Sequence, residues 1–334
     1  MLKVKQLAVA VAMVLFAGAA MASNFRVADQ VYVPAAGHVQ GANALFISDV
    51  FISNLSGDSV DVSVIYSTNP SGTQTPFPKV LTLAPFERRE LLDFMSNTLH
   101  LTSAFGQLIF NGCKATTDCT PDSNGQNTNY RNISVESRIY SVATGANPAT
   151  APTNGQLFSG IPWYNFVSES ALGAGLDKVF ITGIRNTPQY ITNLGFVNAS
   201  QFSATTLTAK LYSGSAPTTV LAQASFTLQP LGFQQVKVGS ANLFPNFTGT
   251  NAFVTVEQGG TTKTSDADAA GCPAGCPAFF AYGSQLDTQT QDATTLEPQF
   301  LQALTNNQIT CIYSPDVATC KAGATIRRAV RHQF

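Results

Sequence analysis

Val60, Val62, Val64 and Tyr66 alternate with Asp61, Ser63 and Ile65, and Leu207, Ala209 and Leu211 alternate with Thr208, Lys210 and Tyr212. A period of two places one face of an extended segment on a core and the other in water, as in a half-buried strand. Turn-forming clusters punctuate these runs at residues 54–58 (Asn-Leu-Ser-Gly-Asp), 69–72 (Asn-Pro-Ser-Gly), 229–232 (Gln-Pro-Leu-Gly) and 257–260 (Glu-Gln-Gly-Gly). Their Gly, Pro, Asn and Asp residues suit tight reversals. Short strands spaced by such turns, with almost no helical periodicity, predict an all-β chain of sandwich type.

The pattern repeats. Residues 47–56 align without a gap on 191–200, an offset of 144; Leu81 to Pro85 align on Phe226 to Pro230, an offset of 145; and residues 136–139 align on 283–286, an offset of 147. Three blocks in one order at nearly constant spacing predict a duplicated unit of about one domain length. We expect a first β-sandwich domain over 26–142 and a linker over 143–155, where small residues, Pro and Gly lack apolar anchors. A second domain follows over 156–298, with residues 156–185 as its entry, equivalent to 31–38. A C-terminal extension occupies 299–334. Cys-bearing loops interrupt the units at matching places, 112–132 and 259–277, where a binding surface can sit.

The first 22 residues read differently. Lys3 and Lys5 precede an uncharged apolar run from Leu7 to Ala20, which ends in Ala20-Met21-Ala22. These are the parts of a signal peptide cut after Ala22. The expected mature chain is secreted, periplasmic or on the cell surface, and no later stretch predicts a transmembrane anchor.

Losing Lys3 and Lys5 reduces 18 basic residues to 16 against 19 acidic ones, a balance unlike that of a nucleic-acid binder. Charged residues make up only 11% of the chain, well below the roughly 25% usual in soluble proteins, so few groups can serve as acid, base or ligand. Six cysteines fall into close pairs: Cys113 with Cys119, Cys272 with Cys276, and Cys311 with Cys320. In an exported chain local disulfides are the expected reading. Zinc is the rival at Cys272-x3-Cys276, although no His lies near it.

Other chemistry is sparse. The three histidines, His38, His100 and His332, are far apart, and there is no Gly-x-Ser-x-Gly elbow. Residues 259–264 lack phosphate-loop spacing. Asp266, Asp268, Asp287 and Asp292 can supply oxygens to calcium or simply solubilise loops. Glu87, Glu90 and Asp93 stand beside Arg88 and Arg89 as surface pairs, and their second-unit counterparts Gly232, Gln235 and Val238 carry no charge, which gives a paired-acid glycosidase little support. Trp163 and Tyr164 form either an exposed platform for a sugar ring or a plug at a domain junction. Asn54, Asn132, Asn198 and Asn246 head Asn-x-Ser/Thr acceptor sites. The basic end around Arg327, Arg328, Arg331 and His332 is either a solvated tail or a contact for an anionic polymer.

Residues 37–54 and 190–198, with Ala84-Pro85 and Gln229-Pro230 after them, resemble tandem immunoglobulin-like domains of secreted bacterial proteins. The resemblance implies two tandem immunoglobulin-like β-sandwich domains outside the cytoplasm and supplies no catalytic residues. The expectation is a non-enzymatic structural or adhesion-type protein without a cofactor, meeting a surface polymer, a glycan or another extracellular protein. The alternative is a carbohydrate-binding protein or an accessory to polysaccharide degradation.

Overall fold

A computed structural model describes residues 27–300 apart from 42–43, 69–72, 121–126, 149, 152, 169–177, 200–203, 259–276 and 291–292. The expected leader, the second Cys-bearing loop and nearly all of the C-terminal extension lie outside the described residues. The described chain is almost entirely antiparallel β-structure, in agreement with the all-β expectation.

The first unit contains β1 (Gln30–Gln40), β2 (Ala44–Asn54), β3 (Val60–Thr68), β4 (Gln74–Leu83), β5 (Arg88–Leu91), β6 (Ala104–Lys114), β7 (Ile133–Ala143), β8 (Asn154–Ser159) and β9 (Ile161–Pro162). The second contains β10 (Val167–Ser168), β11 (Val179–Asn186), β12 (Tyr190–Asn198), β13 (Thr205–Ser213), β14 (Ala216–Leu228), β15 (Phe233–Lys237), β16 (Gly249–Gln258), β17 (Pro277–Asp287), β18 (Ala293–Leu296) and β19 (Gln299–Phe300). In the first unit β4-β3-β6-β1 run side by side, and β2 runs beside β7, with β5 and β8 flanking them. Strand β1 joins the two groups: it pairs with β6 from Gln30 to His38 and with β2 from His38 to Gln40. The second unit separates the same parts into two sheets, β14-β13-β16-β11-β19 and β10-β17-β12-β15 with β18 on β17.

Strand pairing refines the register of the repeat. Val50 faces Ser137 across β2 and β7, while Leu194, its counterpart, faces Gly283 across β12 and β17. The last block is therefore offset by 146 rather than 147. Both units also carry a bulge at one place, between Val33 and Ala36 in β1 and between Ile181 and Ile184 in β11. Asn54 and Asn198 do the same work in each: the buried Asn54 Nδ2 donates to Asp58 O and Ala84 O, and the buried Asn198 Nδ2 donates to Leu228 O and Gln229 O. These two amides clamp turns and are closed to glycosylation.

The expected domain boundary is corrected. β8 pairs along β7 from Ser159 to Asn154, and β9 pairs with Val31 and Tyr32 of β1. Residues 154–162 thus close the first unit, and the expected linker is a connection within it. Its Ala151 packs on a small apolar cluster of Ile47, Tyr140 and Val142. β18 and β19 repeat this arrangement on β17 and β11, which places residues 299–300 inside the second unit. In a chain this poor in apolar anchors over 143–155, only long-range pairing reveals which unit owns the segment.

The two units share apolar interior. β17 reads Phe279-Phe-Ala-Tyr-Gly283, an unbroken run suited to a strand covered on both faces. Phe279 and Ala281 enter the second unit's own core with Leu194, Phe196, Val254 and Val256. Phe280 and Tyr282 point the other way, with Val197, Ala199, Leu231 and Phe233, into the core of the first unit. The register explains why only this sheet docks. Where the second unit has Val197, Phe233 and Tyr282, the first has Ser53, Arg88 and Glu136. There Arg88 and Glu136 approach at 3.6 Å, and Arg88 lies over the Phe51 ring. A polar outer face ends the stack, as capping units do in repeat proteins.

Candidate functional site

A concavity of about 350 Å³ sits in this seam. Its walls come from both units: Val39, Phe46, Phe105 and Phe158 from the first, and Asn193, Gln235 and Leu286 from the second. Pockets of this size at domain junctions are typical small-ligand sites.

Polar groups at the seam are neutral and mostly tied together. Gln156 Nε2 donates to Thr295 Oγ1 at 2.8 Å, and Ser284 Oγ donates to Gln156 Oε1 at 2.6 Å, so one amide bridges the units. The buried Tyr282 hydroxyl donates to Gln235 Oε1 at 2.8 Å. Burial holds that phenol far above its ordinary ionisation range. The Gln235 amide nitrogen and the Asn193 side chain keep their hydrogen-bonding capacity for a ligand. No charged side chain lines the cavity among the described residues, so it suits an uncharged, partly apolar molecule.

A polar cluster in the first unit reaches the cavity wall through Tyr140. His38 Nδ1 meets Asp93 Oδ1 at 2.8 Å, Asp93 N donates to Asp49 Oδ1 at 2.9 Å, and the Tyr140 hydroxyl donates to the same oxygen at 3.3 Å. Burial, then the Asp49 charge, push the Tyr140 phenol up to about 12. Asp93 takes a left-handed backbone conformation, φ 45°, at the start of a π-helical turn over Phe94–Thr98 that buries Phe94 and Met95. The cluster anchors that turn to β2, and its carboxylates do not line the cavity.

Sequence-predicted residues fare unevenly. Cys113 and Cys119 are joined in a disulfide, as expected. Cys272, Cys276, Cys311, Cys320, Asp266, Asp268 and Asp292 lie outside the described residues. Asp287 is described: it accepts hydrogen bonds from Gln189 Nε2, Gln289 N and Thr290 N, which hold its carboxyl below the usual range. It serves as the acceptor of a turn there, and no group of three or more possible metal ligands occurs among the described residues.

Trp163 takes one of its two expected roles. Its indole is 1% exposed, and Nε1 donates to the buried Asp29 Oδ1 at 3.1 Å. No indole face is open for a sugar ring. Phe166, three residues on, contacts both Tyr32 of the first unit and Phe280 of the second at 4.6 and 5.3 Å between ring centroids. The junction plug is the reading the packing supports; the side chain of Tyr164 lies outside what is described. The cavity itself escaped sequence reading because its walls come from strands scattered from Ala35 to Ala293. The one available signal was polar Asn193 and Ser284 within strands otherwise rich in apolar residues.

No protein-family model matches the chain, and no curated protein matches its sequence.

Proposed function

We infer that the chain is a secreted or cell-surface, non-enzymatic protein of structural or adhesion type. In this reading two tandem immunoglobulin-like domains follow a cleaved signal peptide and act outside the cytoplasm. The observation that carries it is the seam. Paired domains move relative to each other unless their interface is large and apolar, and here one sheet is buried on both faces, with Leu231 O held by Ser67 Oγ and Gln107 Nε2 at 2.8 Å each. A stiff two-unit element suits a part that holds spacing or bears load. Fractionation of the source cells, with and without the gene, tests this reading. The protein is expected in an extracytoplasmic fraction with its first 22 residues removed, and its loss is expected to weaken attachment or matrix cohesion. Recovery of the uncut chain from the cytosol would overturn it.

The carbohydrate-binding alternative draws on the cavity, where Phe46 and Phe105 stand near free amide groups. Neutral oligosaccharides are the probe, and Gln235→Ala with Asn193→Ala is the variant. Binding that the double variant abolishes favours this alternative, and binding that survives it removes the cavity from consideration.

A further inference from the structure

We propose that the cavity in the seam binds a small uncharged molecule with an apolar body and a single carbonyl group, such as a medium-chain aliphatic amide. The face that the second unit turns toward the first is graded by strand register. Its innermost row, Phe280, Val197 and Phe233, is wholly apolar. The next row is Tyr282, Gly195 and Gln235, and the one after it is Ser284, Asn193 and Lys237. From these two rows Gln235, Asn193 and Ser284 line the cavity, as neighbours on one face of the sheet.

The duplicate sets these three positions apart. Their counterparts on the first unit are Glu90, Asp49 and Arg138, all charged residues. Burying a charge against another body is costly, so the seam itself accounts for the loss of charge. It does not account for the polarity that remains. Where the units touch, Val197, Phe233 and Tyr282 stand in place of Ser53, Arg88 and Glu136, and apolar side chains took over from polar ones. At the cavity the charged residues gave way instead to two amides and a hydroxyl, side chains suited to hydrogen-bonding a neutral guest.

The hydrogen bonds already made decide what the guest must offer. Ser284 Oγ is committed to Gln156. The Tyr282 hydroxyl occupies Gln235 Oε1, which leaves the Gln235 Nε2 donor and makes an acceptor oxygen its complement. Asn193, on the adjacent strand, adds a further donor and an acceptor. The first unit supplies carbon: Phe46, Phe105, Phe158, Val39 and Ile139. Phe46 is 40% exposed, a ring that an apolar body would cover. A sugar would set hydroxyls against this wall without partners, and a carboxylate would meet no cation among the lining residues. The proposal goes beyond the structural reading, does not depend on where the protein acts, and gives the cavity a ligand other than the oligosaccharide of the alternative.

The test uses the full chain with the neutral fluorophore N-phenyl-1-naphthylamine, and octanamide, octanoate and maltotriose as competitors. Octanamide is expected to displace the fluorophore and to raise the melting temperature of the wild type, because the cavity exists only in the folded seam. Octanoate at neutral pH is expected to bind about tenfold more weakly or worse, and maltotriose to displace nothing. Phe46→Ser should weaken fluorophore and octanamide alike by about tenfold. Asn193→Leu should weaken octanamide by about tenfold and leave the fluorophore unchanged, because the fluorophore has no carbonyl group. If Phe46→Ser fails to fold, Ala44→Phe, which sets a ring into the cavity from its wall, replaces it with the same expectation. Failure of octanamide to displace the fluorophore, octanamide binding indifferent to Asn193→Leu, or octanoate binding as tightly as octanamide overturns the proposal. Displacement by maltotriose overturns it too and favours the carbohydrate alternative.

Discussion

Single side chains buried at or beside the seam report on it. Trp163 is the only tryptophan, so native fluorescence comes from one indole enclosed at 1% exposure. Its emission should be blue-shifted and shielded from collisional quenchers, and Trp163→Phe should cost about 1–3 kcal/mol by removing a donor to Asp29. Red-shifted, freely quenched native emission would contradict the burial. Tyr140 predicts an alkaline effect. A phenol is neutral when protonated, so raising its folded value from 10.0 to about 12 stabilises the fold fully below pH 10. That contribution is lost as pH climbs from about 10 to about 12. Denaturant titrations at rising pH should show it, and Tyr140→Phe should lessen the alkaline loss. At this scale sequence reading separated the two roles of Trp163 but could not choose between them. The choice depends on Asp29, 134 residues away.

Elements were more legible than residues. The alternation in β3 and β13 predicted half-buried strands, and both strands bury every second residue along most of their length. The repeat was equally readable where strand edges and turns had kept their residues. It failed at β1 and β11, whose shared bulge is visible only in the pairing, and at β8 and β9, whose short segments carry no periodicity of their own. β17 shows why one chain can repeat a fold and change its surroundings: Tyr282 replaces Glu136, and Gly195, packed against the Tyr282 ring, replaces Phe51. A methyl group at Gly195 would meet that ring in a space already closed by Phe233 and Phe158. Gly195→Ala should therefore lower stability by about 1–3 kcal/mol, read from the urea midpoint, although the same exchange in an open strand is usually neutral or favourable. An unchanged midpoint would mean the ring can move aside.

At the scale of the whole molecule the claim is that two repeated units behave as one body. Composition argued against a nucleic-acid binder, and the repeat predicted two sandwiches. Neither indicated that the second would insert a sheet face into the first, because that face differs from its twin at only a few positions. Val197, Phe233 and Tyr282 join the core of the first unit, while Ser53, Arg88 and Glu136 leave the opposite end closed. Scanning calorimetry of the intact chain tests this most directly. Shared core predicts one transition whose calorimetric enthalpy equals its van't Hoff enthalpy. Two separated transitions, each with the enthalpy of one unit, would contradict it.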